Sequence, residues 1–376
     1  MENENMKVKN LYLNEFACKD EDAIYLSEIV PDMRTAYFRD TDRILYSLAF
    51  NRYSHKTQVF SFKNHDHLSK RMIHVQYVSK IGRTIGRALG LNEDLIEAAA
   101  LGHDLGHTPF GHFGERVLND ISVENNEGFF NHNIQSVRLL MYIENYWKGL
   151  NISLQTLDAI MCHNGEFALG KYYPQTKTIK EFFDEYKATY TDKSSLKKLK
   201  PMTLEGCVVR ISDMIAYLGR DIDDARRLRL IKREDIPEKI TKVLGSTTRE
   251  IVNNIVLDIV NNSKGKNYIE LSENIFNSIV DLKKFNYENI YEKAYTTEEG
   301  KYIENMIRTL YKKYIKDLEE NNEESTIIKS YLNFMTEKYK KYNTKERIVL
   351  DYISGMTDEY CTLQYEQYIN SQKEEV

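Results

Sequence analysis

Apolar side chains recur at spacings of three and four residues along most of this chain, a pattern that predicts α-helices. The longest example follows Thr203 and comprises Leu204, Cys207, Val208, Ile211, Ile215, Leu218 and Ile222. Alternation with a period of two is scarce, and 59–62 is one of the few places where a short strand or an extended turn is credible. With five prolines in 376 residues, few helices need to be interrupted. The pattern therefore predicts an all-α fold.

The same spacing sets the expected organisation of the chain. Helices are predicted at 39–52, 67–89, 91–101, 129–146, 154–162 and from 203 onward. The polar stretch at 119–128 is expected to form a loop, and that at 171–200 a surface insertion or a short helix with mobile flanks. We divide the chain into an extended N-terminal arm (1–30), a helical core (31–230) and a C-terminal helical region (231–376). The composition of this last region suits a scaffold, an oligomer surface or a lid.

Charge and cysteine content exclude several classes of protein. The net charge of −5 indicates no general affinity for nucleic acid or acidic membranes. Four scattered cysteines without C-x-x-C spacing argue against a disulfide framework or a zinc–thiolate site and suit a reducing cytosol. The chain begins with a polar segment, and no apolar run reaches the roughly 18 residues that a membrane span needs. We therefore expect a soluble cytoplasmic protein.

Candidate chemistry concentrates in the stretch 102–115, which reads GHDLGHTPFGHFGE. It contains His103, His107 and His112, with Asp104 and Glu115 beside them. Glycine and proline residues break the preceding helix here, so His103 and Asp104 lie at or near its C-terminal end. A neighbouring imidazole and carboxylate can face one metal ion, but a metal site needs further ligands.

Those ligands have candidates on either side. The segment 50–90 carries eight Lys/Arg residues against one acid, Asp66, which suits a phosphate-bearing ligand. Within it, Arg71 and His74 lie three residues apart and therefore on one face of the predicted helix. Asp213 falls in the apolar pattern of the helix after Thr203, where a carboxylate needs a partner or a metal. Asp213, Tyr217 and Asp221 follow at four-residue steps and form one polar stripe.

Taken together, His74, His103-Asp104 and Asp213 give an H…HD…D order on three helices. This order resembles the HD superfamily of metal-dependent phosphohydrolases and, within it, the deoxyguanosine-triphosphatase-like deoxynucleoside triphosphate triphosphohydrolases. The resemblance also rests on the segments RDTDRILYSLAFNR (39–52), HKTQVF (55–60), HDLGHTPFGHFGE (103–115), FNHNIQS (130–136), DMIAYLGRD (213–221) and DYISGMTD (351–358). It implies an HD-domain helical bundle with an additional C-terminal helical region.

The resemblance also implies roles for matching residues. His74, His103, Asp104 and Asp213 would bind the metal. His112 and Glu115 would form the catalytic pair near the α-phosphate, with His132 close by. Arg71 would contact the phosphates, and Arg52 and Lys56 are further substrate-binding candidates. Gln58 and Asp221 would hydrogen-bond the 3′-hydroxyl, and Tyr217 would pack where a 2′-hydroxyl must fit. Met214 stands where some relatives place a phosphate-binding lysine.

The implied reaction converts a dNTP, such as dGTP, and water to a deoxynucleoside and inorganic triphosphate. Two imidazoles and two carboxylates suit Mn²⁺ or Mg²⁺ first, with Fe²⁺, Co²⁺, Ni²⁺ and Zn²⁺ as alternatives. An activating nucleotide and a homo-oligomer of dimer to hexamer size are expected partners, a membrane is not, and single-stranded nucleic acid has no support. Two alternatives stay open: another HD phosphohydrolase, such as a 5′-nucleotidase or nucleotide-signal hydrolase, and a non-enzymatic regulator that binds nucleotide or single-stranded nucleic acid.

Overall fold

The computed structural model describes residues 11–30, 32–62, 66–164 and 169–374, and helices make up nearly all of their regular structure. The α-helices are α1 Ala36–Leu45, α2 Leu48–Arg52, α3 Arg71–Leu89, α4 Glu93–Gly102, α5 Gly111–Glu124, α6 His132–Arg138, α7 Glu144–Trp147, α8 Leu154–Met161, α9 Ile179–Thr191, α10 Ser195–Lys198, α11 Leu204–Arg227, α12 Glu238–Leu244, α13 Thr248–Ser263, α14 Glu273–Asn289, α15 Thr297–Glu319, α16 Thr326–Ser330, α17 Glu337–Tyr342, α18 Lys345–Ser354 and α19 Asp358–Glu374. The predicted all-α class is confirmed.

Two very short strands complete the regular structure of the described residues. β1 Lys171–Tyr172 pairs antiparallel with β2 Ile269–Glu270. Of the short strand or extended turn predicted at 59–62, the structure has a turn: Thr57 forms an isolated bridge to Lys70, and the chain then turns at 61–62. The aromatic residues of that segment pack on the core instead, and Phe62 stacks on Phe110 at 5.6 Å between ring centroids.

Local signals fix the ends of the helices around the histidine-rich stretch. Thr203 caps α11 by accepting a hydrogen bond from the Gly206 amide, and Asn92 caps α4 in the same way through the Asp94 amide. Gly90 ends α3 with a left-handed φ of 71°, a conformation that glycine adopts without strain. The end of α3 at Gly90 and the Asn92 cap fix where α4 begins, and therefore where His103 lies directly after its C-terminal end.

Three predicted boundaries differ from the structure. The helix expected at 39–52 is broken before Ser47, whose hydroxyl caps α2. The loop expected at 119–128 begins later, because α5 continues to Glu124. The helix expected at 129–146 is α6 followed by a π-helical turn at Leu139–Ile143. The chain then passes through three consecutive residues with positive φ, Asn145, Tyr146 and Trp147.

The helices that carry the candidate ligands pack directly on one another. α3 and α4 contact each other and α11, while α1 and α8 cover α4. Gly82 permits the close approach, since a Cβ there would lie 2.7 Å from Ile96 and 3.3 Å from Ser212. This packing brings His74 on α3, the end of α4 and Asp213 on α11 to one place.

Described residues before and after this helical core contact it. In the described part of the N-terminal arm, the Asn14 side chain donates to the Leu89 carbonyl and the Ile24 amide donates to the Gln155 side chain, so these residues are hydrogen-bonded to the helical core. Beyond residue 230, α13 and α14 pack on α11, and α15 packs on α5. The three-part division of the chain stays a prediction.

Among the described residues, no helix combines the length and the apolar character needed to cross a membrane.

Candidate functional site

A cavity of about 440 Å³ opens where α3, α5, α6, α11 and α14 meet. Nine of the predicted site residues line it: Gln58, Arg71, His74, Asp104, His112, His132, Asp213, Tyr217 and Asp221. His103 and Glu115 stand directly behind this wall, in contact with lining residues. The structure therefore brings together eleven of the thirteen residues that the sequence singled out.

The four predicted metal ligands form a buried cluster in the cavity wall. His74 Nε2 lies 2.9 Å from Asp213 Oδ1, and His103 Nε2 lies 3.6 Å from the same oxygen and 3.5 Å from Asp104 Oδ1. The Nδ1 atom of His103 donates to the Ala100 carbonyl at 2.7 Å, so its Nε2 carries the lone pair. That Nε2 is buried without a hydrogen-bond partner among the described residues. Imidazole lone pairs facing carboxylates at these separations fit a divalent ion.

The carboxylates of this cluster remain ionised despite burial. Burial opposes ionisation of Asp104, but His103 and Arg71 hold the pKa of that carboxyl well below its usual range. Burial likewise opposes ionisation of Asp213, and His103 and His74 lower its pKa. For His103, burial is outweighed by Asp104 and Asp213, which raise the pKa of the imidazole to about 9.

A second group, on α5 and α6, joins two histidines through one carboxylate. Glu115 Oε2 lies 2.9 Å from His112 Nδ1, and Glu115 Oε1 lies 2.8 Å from His132 Nδ1. The same Oε1 accepts the His132 backbone amide at 2.7 Å. Burial opposes ionisation of Glu115, but the two histidines keep its pKa well below the usual range. The His112 side chain is 56% exposed, so a ligand in the cavity can reach it.

Farther along α11, the cavity wall offers hydrogen-bond acceptors. Tyr291 donates its hydroxyl to Asp221 Oδ2 at 2.7 Å. Asp221 Oδ1 and Gln58 Oε1 are both buried without a partner among the described residues. Burial raises the pKa of Asp221 to about 7, even though the Tyr291 hydrogen bond opposes this rise. Near neutral pH this carboxyl can therefore accept or donate a hydrogen bond.

Three further residues belong to the site, and sequence reasoning assigned none of them a role. His107 Nε2 lies 3.5 Å from Asp104 Oδ1, and its ring stacks on His132 at 4.1 Å. His163, which follows the helix predicted at 154–162, has its Nε2 atom 3.2 Å from His132 Nε2. The signal that could have identified both is their residue type, since histidines are few in this chain and none follows His163. Tyr291 gave no such signal.

Arg52 and Lys56, predicted to bind substrate, lie outside this cavity. Arg52 lines a separate cavity together with Glu144 and Tyr331. Lys56 is buried, and its ammonium donates to the carbonyls of His107 and Ser354, the latter at 3.0 Å. A buried ammonium needs such acceptors, so Lys56 supports the loop that carries His107 from behind. Neither side chain reaches a ligand in the main cavity.

The chain matches known families over most of its length. Residues 71–218 match the family model of the HD domain, and residues 269–367 match that of the phosphohydrolase-associated domain. The chain is 37% identical over 336 residues to a "deoxyguanosinetriphosphate triphosphohydrolase-like protein" of Caldanaerobacter subterraneus subsp. tengcongensis, covering 89% of this chain and 85% of that one. Proteins with the same description in Clostridium perfringens and Clostridium tetani are 38% and 36% identical, covering 89% and 90% of this chain and 86% of each relative.

Proposed function

This chain belongs to the deoxyguanosinetriphosphate triphosphohydrolase-like family of HD-domain hydrolases, and from that premise we propose that it hydrolyses a deoxynucleoside triphosphate to a deoxynucleoside and inorganic triphosphate. We take dGTP as the first candidate substrate. The observation that carries the proposal is a single cavity lined by the ligand cluster, the exposed His112 and the acceptors on α11. Asp213 and Asp221 lie eight residues apart on α11, or roughly 12 Å along its axis at 1.5 Å per residue. That length accommodates a nucleoside and its first phosphates.

The metal would be held by His74, His103, Asp104 and Asp213. Bound by these residues, a divalent ion, Mn²⁺ or Mg²⁺ by preference, would supply Lewis-acid stabilisation of the negative charge on a phosphoryl oxygen. Arg71, buried beside Asp104, would add a guanidinium for a neighbouring phosphate oxygen.

His112 would transfer the proton that the leaving group needs. Hydrolysis at the α-phosphorus breaks its bond to the 5′-oxygen of the nucleoside, and that oxygen leaves with a proton. Glu115 holds the Nδ1–H of His112, which leaves Nε2 free to carry that proton. Because Glu115 also fixes His132, we expect it to act as a positioning residue for both rings.

Asp221 and Gln58 would recognise the sugar. Their unpartnered oxygens can accept the 3′-hydroxyl, which every dNTP carries. Tyr217 lies between Asp213 and Asp221 on the same helix face and would occupy the space that a 2′-hydroxyl requires. The activating nucleotide, the homo-oligomer and the cytoplasmic location stay predictions of the family resemblance.

Product analysis of a dNTP panel with each divalent metal tests the proposal. Purified protein is incubated with each dNTP and with Mn²⁺ or Mg²⁺, and the products are separated by ion-exchange chromatography. We expect deoxynucleoside and inorganic triphosphate in equal amounts, and no turnover by Asp213→Asn. The Asp213 variant is the matched control because it lacks a ligand but keeps the sugar pocket.

Other products would contradict the proposal in distinct ways. Release of pyrophosphate or of single phosphates would place the cleaved bond elsewhere and favour another HD phosphohydrolase. Nucleotide or single-stranded nucleic-acid binding without turnover would favour a regulator.

A further inference from the structure

One part of the wall of the main cavity is apolar and aromatic, in contrast to the charged ligand cluster. Val59, Phe113, Ala294 and Tyr295 line this part. The rings of Phe113 and Tyr295 pack together, with 5.5 Å between their centroids. Apolar and aromatic side chains accept the flat face of a nucleobase, because every base has a π-face. Since phosphate groups need cations or N–H donors, this part of the wall suits the base of a nucleotide better than its phosphates.

Arg116 is the cation that belongs to this aromatic part of the wall. Its guanidinium carbon lies 5.0 Å from the centroid of the Phe113 ring. The side chain is exposed and lines the cavity, and it has no hydrogen-bond or ion-pair partner among the residues that the structure describes. Asp120, one turn later on α5, is also exposed and yet does not pair with it. A guanidinium held on a ring in this way has its donors available to a ligand.

The other lysine and arginine side chains of the cavity wall are already engaged. Arg71 is paired with Asp104, and Lys283 takes part in an interaction within the chain. Arg116 is therefore the cation among the lining residues whose donors a ligand can use without breaking an existing contact.

The course of α5 places Arg116 on the nucleoside side of the bond that is cleaved. The helix begins at Gly111, where a Cβ would lie 3.4 Å from Arg71 Nη2, so its first turn lies beside the phosphate-binding end of the cavity. His112, the next residue, would protonate the 5′-oxygen at which the nucleoside begins. Arg116 follows five residues after Gly111, or roughly 7.5 Å along the helix axis. The part of the nucleotide that it meets there is the base rather than the phosphate chain.

The four bases differ in what they offer to a guanidinium. Guanine presents two neighbouring acceptors, N7 and O6, which match two N–H donors of an arginine. Adenine presents N7 beside an amino group, cytosine presents an amino group, and thymine presents one carbonyl oxygen, so none of these offers two acceptors on that edge. An arginine in this position thus favours guanine over the other three bases.

We propose that Arg116 is a specificity residue that binds the N7 and O6 atoms of guanine, with the base packed beside Phe113, and that it makes dGTP the preferred substrate. The inference rests on the proposed function, because the position of His112 at the 5′-oxygen sets the orientation of the nucleotide. It goes beyond that function by assigning the base and the side chain that selects it. A bidentate contact of this kind corresponds to about 5- to 150-fold discrimination against a wrong base.

Steady-state kinetics with the four dNTPs test the inference. In the wild type, kcat/KM for dGTP should exceed that for dATP by about 5- to 150-fold. Arg116→Met, which keeps a long side chain but removes every donor, should lose most of this ratio through a higher KM for dGTP, with dATP little affected. Arg116→Lys, which keeps the charge but not the paired donors, should retain only part of it. Arg249→Met is the matched control, because Arg249 is an exposed arginine on α13 that does not line the cavity.

A substrate analogue identifies the atom that Arg116 contacts. 7-Deaza-dGTP has a carbon in place of N7 and keeps O6. In the wild type its kcat/KM should be lower than that of dGTP by roughly 2- to 12-fold, the range for one hydrogen bond. In Arg116→Met the two substrates should be equivalent, because the partner of N7 has been removed.

Binding of the free nucleoside gives a readout that does not depend on turnover. Calorimetric titration should show tighter binding of deoxyguanosine than of deoxyadenosine by the wild type and by Arg249→Met, and no such preference in Arg116→Met. Circular dichroism checks that each variant is folded. If the protein binds deoxyguanosine through Arg116 but releases no triphosphate from dGTP, the proposed function fails and the base assignment stands.

Two kinds of result would overturn the inference and leave the proposed function intact. An equal loss of kcat/KM for all four dNTPs in Arg116→Met, largely restored in Arg116→Lys, would show that Arg116 binds a phosphate. Unchanged kinetics in both variants, or hydrolysis of dATP by the wild type at least as efficient as that of dGTP, would show that Arg116 does not select guanine.

Discussion

At the scale of single residues, Glu115 has the most direct control over the proposed chemistry. Its two oxygens hold His112 and His132, so the orientation of both rings depends on one buried carboxylate. Both rings line the cavity, but the His112 side chain is 56% exposed and that of His132 only 8%. The exposed ring is therefore the one placed to exchange a proton with a ligand.

Replacing His112 should separate binding from catalysis. We expect His112→Ala to keep its affinity for dNTP and to lose turnover by a factor on the order of 10²–10⁴, because proton transfer by a positioned side chain contributes about that much. Calorimetric titration with a slowly hydrolysed dNTP analogue and steady-state kinetics measure the two quantities, and His55→Ala serves as the control. A large rise in dissociation constant with unchanged kcat would instead make His112 a binding residue.

Asp221 should make stability depend on pH in an unusual direction. Burial raises its pKa to about 7, well above the value of about 4 in an unfolded chain. Between about pH 4 and 7 the folded protein therefore binds one more proton at Asp221 than the unfolded chain does. Its stabilisation is fully present below pH 4 and is lost as the pH rises through 7. Relative to Asp221→Asn, the wild type should lose about 4 kcal/mol at most over this range.

Urea denaturation of the two proteins between pH 4 and 8 checks this expectation. The free energies of unfolding should diverge with rising pH, with the wild type falling relative to the variant. Parallel curves would show that Asp221 titrates normally and that its environment is more polar than its burial suggests.

Tyr217 should discriminate between deoxyribose and ribose. A 2′-hydroxyl beside this ring would be buried without a partner, at a cost of roughly 1–3 kcal/mol, which corresponds to about 5- to 150-fold in kcat/KM. Tyr217→Ala should narrow the dNTP/NTP ratio by that factor, whereas Asp221→Ala should impair both substrates. Equal hydrolysis of dNTP and NTP by the wild type would remove the sugar assignment.

The residues that could be found from the sequence are those whose chemistry shows within a short segment. His103-Asp104 stands out in its own motif, and Asp213 stands out because its neighbours are apolar. Tyr291 could not be found, because its bond to Asp221 joins positions 70 residues apart and a tyrosine among many gives no signal. The substrate-binding role predicted for Lys56 failed for a related reason. A lysine in a basic run is expected at the surface, and the carbonyls that accept its hydrogen bonds come near it only in the folded chain.

At the scale of elements, α11 was predictable and α6 was not. The apolar spacing after Thr203 continues without interruption, and the helix follows it for 24 residues. The segment after α6 has equally apolar residues, but it changes to a π-helical turn and then to left-handed residues. Periodicity cannot report this change, because the altered hydrogen bonds depend on packing against the rest of the molecule.

The contact between the histidine-rich turn and α6 leaves no room for a side chain at Gly106. A Cβ there would lie 2.3 Å from the Ser136 amide nitrogen and 2.4 Å from the His132 carbonyl oxygen. We expect Gly106→Ala to push α6 away, to lower the free energy of unfolding by about 1–3 kcal/mol and to reduce kcat through the displaced His132. Gly170→Ala is the matched control, since its Cβ would make only ordinary contacts, at 3.8 Å and beyond. Equal stability of the two variants would contradict this packing.

At the scale of the whole molecule, the region after residue 230 takes part in the site. We expected a scaffold, an oligomer surface or a lid there, yet Lys283, Tyr287 and Tyr291 line the main cavity. The two family matches fall on either side of 219–268, and the cavity lies between the parts of the chain that they cover. A fragment limited to the HD match would therefore carry the metal ligands but an incomplete sugar pocket.

Tyr291→Phe tests this contribution without truncation. Loss of one hydrogen bond to Asp221 should lower kcat/KM for dNTP by roughly 2- to 12-fold, mainly through KM. Because that bond opposes the rise in the pKa of Asp221, the variant should also shift the pH dependence of binding upward. Tyr342→Phe, at an exposed position on α17, is the control. If Tyr291→Phe left kcat/KM and the pH dependence of binding unchanged, the C-terminal region would have only a structural role.

The tie between Lys56 and Ser354 has a consequence for the newly made chain. The two residues are 298 positions apart, so at about 5–20 residues per second the ribosome needs about 15–60 s to make the second after the first. In the later part of that interval, after His163 has been made, the nascent protein carries the histidines but lacks the carbonyl that completes the anchor behind them. A message cut short between Asp213 and Ser354 would thus yield a polypeptide with the full ligand set but without the Ser354 carbonyl that Lys56 contacts behind the His107 loop. Synthesis of the segment that carries Ser354 is therefore the step that completes the support of the His107 loop.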